Sequence, residues 1–316
     1  MEQLADAGLD AAGFTYAQAR AAGVERWRLY RGDLQRPFRG VRAVDADLSD
    51  HIEMCRAYAA QRRVGHYFSH ETAALIHRLP LPVHRHPRLL HVAVFAPRKP
   101  PQMRGVASHE LQAVGHRVVT IDGLPCVAPE DVWAQLSGRL DVPDLVAIGD
   151  FIITGDEPYS GEASPLGPAD LERAVRHHGR RRGVRNLRLA LDLVRFGSLS
   201  PQESLLRVEL VGAGLPEPEL NFRVKHDGRL IAMVDLAYPE RRLAIEYLGD
   251  HHRTDSDLYR ADIHRRERLA SAGWNTVFLT AADLAGPVPR AVPLIRAALK
   301  RSSPDLFTPE IGVSHE

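Results

Sequence analysis

The sequence predicts an α+β / α/β multidomain protein, and three observations carry that prediction. The chain has 316 residues, 44% apolar and 26% charged, enough for two or three hydrophobic cores of ordinary composition. A Gly/Pro/Ser-rich stretch, Thr154–Asp170, breaks the periodic segments near the middle. On either side of it, short β-type runs alternate with amphipathic helical patterns. The expected boundaries are 1–60 for an N-terminal winged helix-turn-helix, 61–160 for a middle α+β domain, 161–197 for a linker with basic helices, and 198–300 for a C-terminal α/β domain with a mixed sheet.

In the first segment Thr15 caps a short helix through Gln18 and Ala22, Gly23 supplies a turn, and Glu25–Arg31 forms a second helix. Leu34–Val44 (LQRPFRGVRAV) then reads as an Arg-studded β-wing. Such a module would place Arg26 and Arg28 at a major groove of duplex DNA and Arg36, Arg39 and Arg42 near phosphates. The alternative is a small helical cap with solvated arginines.

The middle segment carries an amphipathic helix beginning at Ser69, strands within Leu89–Pro97 and His116–Val127, and a helix that starts at Pro129. His70, His77, His84, His86 and His91 are numerous, yet no pair has ligand spacing on one helix face. Solvated or singly bonded histidines are therefore expected rather than a zinc site. Cys55 and Cys126 form no CxxC pair and read as buried free thiols of a reducing compartment. The N-terminus lacks the basic and apolar regions of a signal peptide, and no run of 18 apolar residues exists. A cytoplasmic protein without a membrane partner is expected.

The net charge of +1 gives no global basic signal, so a nucleic-acid surface has to be a local patch. The densest one lies at Arg173, Arg176, Arg180, Arg181, Arg182, Arg185 and Arg188. Arg181 and Arg182 are its centre. It reads either as a solvated helix face or as a phosphate-tracking surface.

From Ser198 the order is helix, three strands, helix, strand. Asp227-Gly228 marks a tight hairpin turn. A second hairpin, Val234–Leu248, carries one acid near the end of each arm. Pairing Ala237 with Arg242 across a YPER loop sets Asp235 opposite Ala244, on the strand face shared with Glu246 and Leu248. Val234, Leu236, Leu243, Ile245 and Tyr247 would make the opposite, apolar face. Two carboxylates on adjacent strands repel one another without a cation, and a hard divalent ion such as Mg²⁺ suits them. Glu203 also completes S-x-x-E with Ser200, so a capping box explains it equally well.

Glu203, Asp235, Glu246, Gly249, His252, a helix with Asp262 and Arg266, and the strand GWNTVFLT follow one another in a pattern that resembles the PD-(D/E)XK nuclease fold, nearest the very-short-patch-repair-like endonucleases. The resemblance covers about Ser198–Leu284 and implies a restriction-endonuclease-like domain that hydrolyses phosphodiester bonds. It implies that Asp235 and Glu246 ligate Mg²⁺, with Mn²⁺ as a substitute, and that Glu203 is an outer ligand or water-orienting acid. His252, or His251 if the loop is shifted by one, would be the general base or a phosphate-polarising donor, and Arg266 would pair with Asp262 or contact a scissile phosphate. The pattern departs at Leu248, where Lys or Asp is usual.

Residues 14–150 resemble the type IV antitoxins of abortive-infection systems through FTYAQARAAGV, RGVRAV, YFSHETAALIHRLPLP and IDGLPCVAPEDVWAQL. This second resemblance implies binding to duplex DNA such as a toxin-operon promoter. A metal-dependent DNA endonuclease is the leading expectation. The alternative is a non-catalytic DNA-binding regulator or antitoxin with a degenerate nuclease domain, and an RNA-directed nuclease is the third.

Overall fold

A computed structural model describes residues 7–155, 163–248, 256–286 and 289–302, with backbone alone for 256–263. It is a mixed α+β protein whose strands form sheets of two, five and four strands. One compact unit comprises the described residues of Met1–Ile152 with Pro165–Asp192. The other comprises those of Ile153–Ser164 with Leu193–Glu316. No helix among the described residues is long and apolar enough to cross a membrane.

The first unit begins with β1 (Phe14–Thr15), paired antiparallel with β2 (Val41–Arg42). Thr15 caps α1 (Tyr16–Ala21) as expected. Its hydroxyl accepts the Gln18 N–H at 3.1 Å while Gln18 Oε1 accepts the Thr15 N–H at 2.7 Å. The expected helix at 25–31 is instead a 3-10 turn, Arg26–Tyr30. Five residues without a side-chain cap cannot sustain an α-helical ladder. The turn buries Leu29 beside Phe14, Ala19, Val24 and Leu34. The expected wing is limited to the two-residue β2 and a single bridge between Gln35 and Ala43.

Next come α2 (His51–Ala59), β3 (Tyr67–Phe68), α3 (His70–Ile76), β4 (Leu90–Phe95), β5 (Val106–Leu111), β6 (Val118–Ile121), β7 (Leu124–Val127), α4 (Pro129–Leu136) and α5 (Val142–Thr154). The five strands lie in the order β5-β4-β3-β7-β6. The β3–β7 and β4–β5 pairs are parallel; the other two are antiparallel. Strands β4 and β7 are almost wholly buried and read accordingly as continuous apolar runs. Trp133 on α4 is fully buried and donates its indole N–H to the Leu145 carbonyl at 2.7 Å.

The basic helices α6 (Pro168–His178) and α7 (Val184–Leu193) belong to this unit. They turn at Gly183, whose φ is +88° and where a Cβ would lie 2.2 Å from the Ser137 carbonyl carbon. Only glycine permits both the left-handed backbone and that approach.

The second unit contains α8 (Pro201–Gly212), β8 (Glu219–His226), β9 (Arg229–Tyr238), β10 (Leu243–Tyr247), α9 (Ser256–Ser271), β11 (Asn275–Leu279), α10 (Ala281–Leu284) and α11 (Ala291–Arg301). The sheet order is β11-β10-β9-β8, antiparallel except for the parallel β10–β11 pair. Asp227 and Gly228, with φ of +48° and +75°, make the first hairpin turn where the sequence marks it. The strand read from GWNTVFLT ends at Leu279, because Thr280 and Asp283 cap α10 reciprocally.

The second hairpin differs from its expected register by two residues. Ala244 pairs with Ala237 and Ile245 with Leu236, and a 3-10 turn (Pro239–Arg241) followed by left-handed Arg242 closes the loop. The loop again has four residues, moved one position along the chain, and the expected parity of faces is kept. Leu236, Leu243 and Ile245 join Leu206, Leu210, Ile295 and Ala298 in one core against α8 and α11. The other face is covered too, since Ala237 and Ala244 cluster with Leu269 of α9. Both faces of the hairpin are therefore core, which corrects the expectation of one apolar and one open acidic face. Val234 also lies in this second cluster.

Candidate functional site

The corrected register, continued by one residue, sets Asp235 of β9 directly across from Glu246 of β10. Asp235 is half-buried and Glu246 is buried. The Tyr247 N–H donates to Asp235 Oδ2 at 2.7 Å, which fixes that carboxylate at the hairpin's open end. Both acids line one small cavity of about 90 Å³, together with Leu248, Arg265, Arg266 and Phe278. Such a volume accommodates a cation with several waters.

Two cationic side chains of α9 enter this cavity. Arg265 forms an ion pair with Glu246. Arg266 stacks its guanidinium over the Phe278 ring, 3.8 Å from the centroid. Phe278 of β11 is the parallel partner of Glu246, so the stack holds Arg266 beside the acid pair. Arg265 has no counterpart among the residues singled out from sequence. Its signal is visible only once the spacing along α9 is known relative to Glu246.

Glu203 sits at the start of α8 in the hydrogen-bonded role that the S-x-x-E spacing suggests. Its N–H donates to Ser200 Oγ at 3.2 Å, and its carboxylate accepts from the Ser200 hydroxyl at 2.8 Å, the Leu199 N–H at 2.9 Å and the Asn221 amide at 2.6 Å. The residue is 5% exposed. Burial pushes its pKa up to about 6, and the charge of Asp235 adds to the rise, while the Leu199 N–H opposes it. Glu203 thus feels the charge of Asp235 while its own oxygens are engaged in the cap and by Asn221.

The sign of that shift gives a stability prediction. A carboxyl whose folded pKa lies above its ordinary 4.5 holds its proton more tightly in the fold. The stabilisation is full below about pH 4.5 and is lost as pH rises to about 6, a change of about 2 kcal/mol. Across that window wild type should lose urea resistance relative to Glu203→Gln, whose side chain stays neutral. Parallel pH profiles for the two proteins would refute the assignment.

His251 and His252 lie outside the described residues, as does the side chain of Asp262. Leu248 is half-buried at the cavity wall, so the hydrocarbon side chain lies where the resemblance puts a Lys or Asp.

The arginines assigned to DNA separate into two groups. Arg28 is turned inward, 3% exposed, and binds Asp33 through two hydrogen bonds of 2.9 and 2.8 Å. It holds the 3-10 turn together rather than facing a groove. Arg42 is likewise buried, bonded to the Leu29 and Val41 carbonyls, and burial lowers its pKa. Arg26 and Arg39 are exposed, Arg26 lying 5.9 Å from the Tyr30 ring centroid. In the basic helices Arg173 reaches the fully buried Glu130 at 2.9 Å and so serves the core. Arg181 donates to the His177 carbonyl at 3.0 Å, and Arg181 and Arg182 are exposed.

The sheet groups histidines that spacing along one helix does not connect. His70, His91 and His109 come together, with one ring nitrogen from each lying within 4.8 Å of the others. Helical spacing could not reveal this, because the three come from α3, β4 and β5. Burial lowers all three, His91 to about 4, and His70 is further depressed by the neighbouring His109 and His91. Cys55 and Cys126 are buried and free, as expected, with burial raising Cys126 to about 12.

Two uncharacterized proteins of Mycobacterium tuberculosis strains, Rv2248 and MT2308, are each 26% identical to this chain over 243 residues, covering 77% of this chain and 79% of theirs. No family model matches the chain. No solved structure matches it.

Proposed function

We propose that the second unit is a divalent-metal-dependent DNA endonuclease whose reaction centre is the Asp235–Glu246 pair. One observation carries the reading: two acids from adjacent strands meet at one cavity, with cationic groups beside them. The donor set suits Mg²⁺ or Mn²⁺, since hard oxygen ligands from one or two carboxylates leave room for water and phosphate oxygens. A bound metal supplies a more acidic water and Lewis-acid polarisation of the phosphate.

The protein residues would contribute the rest. Asp235, fixed by the Tyr247 amide, and Glu246 would hold the cation. Arg266, braced on Phe278, would present its guanidinium to a phosphate of the bound strand. Glu203 would act on Asp235 through its charge and through the cap at Ser200. His252 would take up or deliver the proton, by the resemblance. DNA would be held by exposed Arg26 and Arg39, by the exposed rings Trp27 and Tyr30 with Arg31 and Arg26 over them, and by Arg181 and Arg182. The winged-helix reading of the first unit belongs to this proposal.

A second reading is a DNA-binding regulator of antitoxin type with a degenerate nuclease unit, favoured by Leu248 at the cavity wall and by the Arg265–Glu246 ion pair. Incubating the purified chain with supercoiled plasmid and Mg²⁺ or Mn²⁺ separates the two. Metal-dependent nicking supports the enzyme. Promoter binding with steep salt dependence and no nicking supports the regulator.

Arg265 competes with a cation for Glu246. Arg265→Gln is therefore expected to tighten Mn²⁺ binding by about tenfold, a charge-assisted hydrogen bond being worth on that order. Calorimetric titration without DNA measures it; unchanged or weaker affinity would exclude competition.

A further inference from the structure

We propose that His70, His91 and His109 form a binding site for one zinc-class divalent cation in the first unit, with Glu71 as the adjoining carboxylate. The site is separate in chemistry from the acid pair and requires no nuclease activity.

The three histidines are hydrogen-bonded, yet their ring nitrogens are clustered closely enough for one metal ion. Each histidine offers a ring nitrogen within 4.8 Å of the other two. Tetrahedral coordination with Zn–N bonds of about 2.0–2.1 Å sets ligand nitrogens roughly 3.4 Å apart. His91 Nδ1 and His109 Nε2 are joined by a hydrogen bond of 2.9 Å, whose proton a cation would displace on taking both nitrogens. The ring planes stack, His70 on His109 at 3.8 Å between centroids and His91 on His109 at 5.1 Å. Stacked rings direct their in-plane lone pairs side by side, so the imidazoles have to turn about χ1 and χ2 to aim the clustered nitrogens at one cation.

The sheet holds two of the ligands. β4 and β5 are parallel, with Ala93 opposite His109 and His91 opposite Ala107, so His91 and His109 are diagonal neighbours. His70 enters from the first residue of α3, its backbone in the left-handed region at φ +49° and its N–H bonded to Gln135 Oε1 at 2.9 Å. Its Nδ1 lies 3.0 Å from Ser69 Oγ, which leaves Nε2 for the cation.

A second, independent observation concerns charge. Glu71 is 5% exposed, and its Oε2 has no hydrogen-bond partner among the described residues. That oxygen lies 3.6 Å from His91 Nδ1, while Oε1 is held by Arg139 at 2.6 Å. A buried carboxylate oxygen left without a donor is costly, and a cation between it and the three nitrogens satisfies it. Imidazole donors select zinc-class ions over Mg²⁺, which prefers oxygen. His70 and His109 also line a cavity of about 430 Å³, so solvent and small ligands reach the cation from that side.

The test uses the full chain, stripped of metal, carrying Asp235→Ala and Glu246→Gln so that the acid pair takes no part. Co²⁺ is titrated while its visible absorption is followed, and Zn²⁺ is titrated by calorimetry. One equivalent should bind, and Zn²⁺ should raise the melting temperature. Adding His70→Ala or His109→Ala should weaken binding about a hundredfold or more, as loss of a ligand requires. Circular dichroism reports whether each variant is folded. Should either variant fail to fold, the Zn²⁺-dependent melting shift and Co²⁺ spectrum of the double variant alone decide. Binding that survives both histidine substitutions, or a folded chain that takes up neither Co²⁺ nor Zn²⁺, would overturn the site.

Discussion

Asp235→Asn and Glu246→Gln should each reduce metal-dependent plasmid nicking by about a hundredfold or more, while leaving the circular-dichroism spectrum and melting temperature near those of wild type. The size follows from what a carboxylate contributes at such a site. Metal polarisation of a phosphoryl oxygen is worth several kcal/mol, and each 1.36 kcal/mol is tenfold in rate. Amide replacements keep the shape of the side chain, and in Asp235→Asn the amide carbonyl can still accept the Tyr247 N–H that Asp235 Oδ2 accepts. They remove the charge. Glu246→Gln also leaves Arg265 without its carboxylate, a loss to a side chain that is one-third exposed and so a small one for folding. A plasmid assay with Mg²⁺ and with Mn²⁺ reads the result. Nicking that persists in both variants would remove the reaction from this hairpin.

Trp133→Ala should destabilise the first unit by about 3–5 kcal/mol, the usual cost of truncating a fully buried large aromatic residue. Trp133 is the largest completely buried side chain among the described residues. It sits on α4 between Val132 and Ala134, in a helix that also carries the buried Glu130 and Asp131. Its indole N–H satisfies the Leu145 carbonyl, so the truncation creates a cavity and also removes a donor from that buried acceptor. Trp133→Phe should fall well short of that loss, because it keeps most of the volume and gives up chiefly the hydrogen bond. Urea denaturation followed by far-ultraviolet circular dichroism measures both. Equal losses for the two variants would mean that the hydrogen bond, not the volume, dominates.

Much of the second unit was legible because its signals are local. Asp227-Gly228 permits the positive φ that a tight hairpin needs, and Ser200 with Glu203 caps α8 through neighbours three residues apart. The parity of Asp235 and Glu246 follows from strand alternation alone, so it survived a two-residue error in register. The register itself depends on how Pro239–Arg242 closes, and left-handed Arg242 is no sequence signal. Covering of the acid face by α9 was also hidden, because it depends on where Leu269, Arg265 and Arg266 lie after a crossover.

In the first unit the failures share one cause. Arg28 looks like its exposed neighbour Arg26 in sequence, yet Asp33 lies where the 3-10 turn can bring it inward. Arg173 sits in a run of arginines that reads as one surface, and Glu130, distant in sequence, takes it out of that run. His70, His91 and His109 carry no helical spacing, since parallel β4 and β5 and the start of α3 bring them together.

The sequence by itself thus determined where helices and turns begin, which positions along each strand share a face, and that two acids meet on one hairpin. Caps, turn chemistry and the alternation of side chains act over only a few residues. Tertiary structure alone decided which charges are buried, which arginines stay exposed, and that three histidines cluster. Those outcomes depend on contacts between segments tens of residues apart, where the competition between desolvation and pairing is settled only when the partners meet.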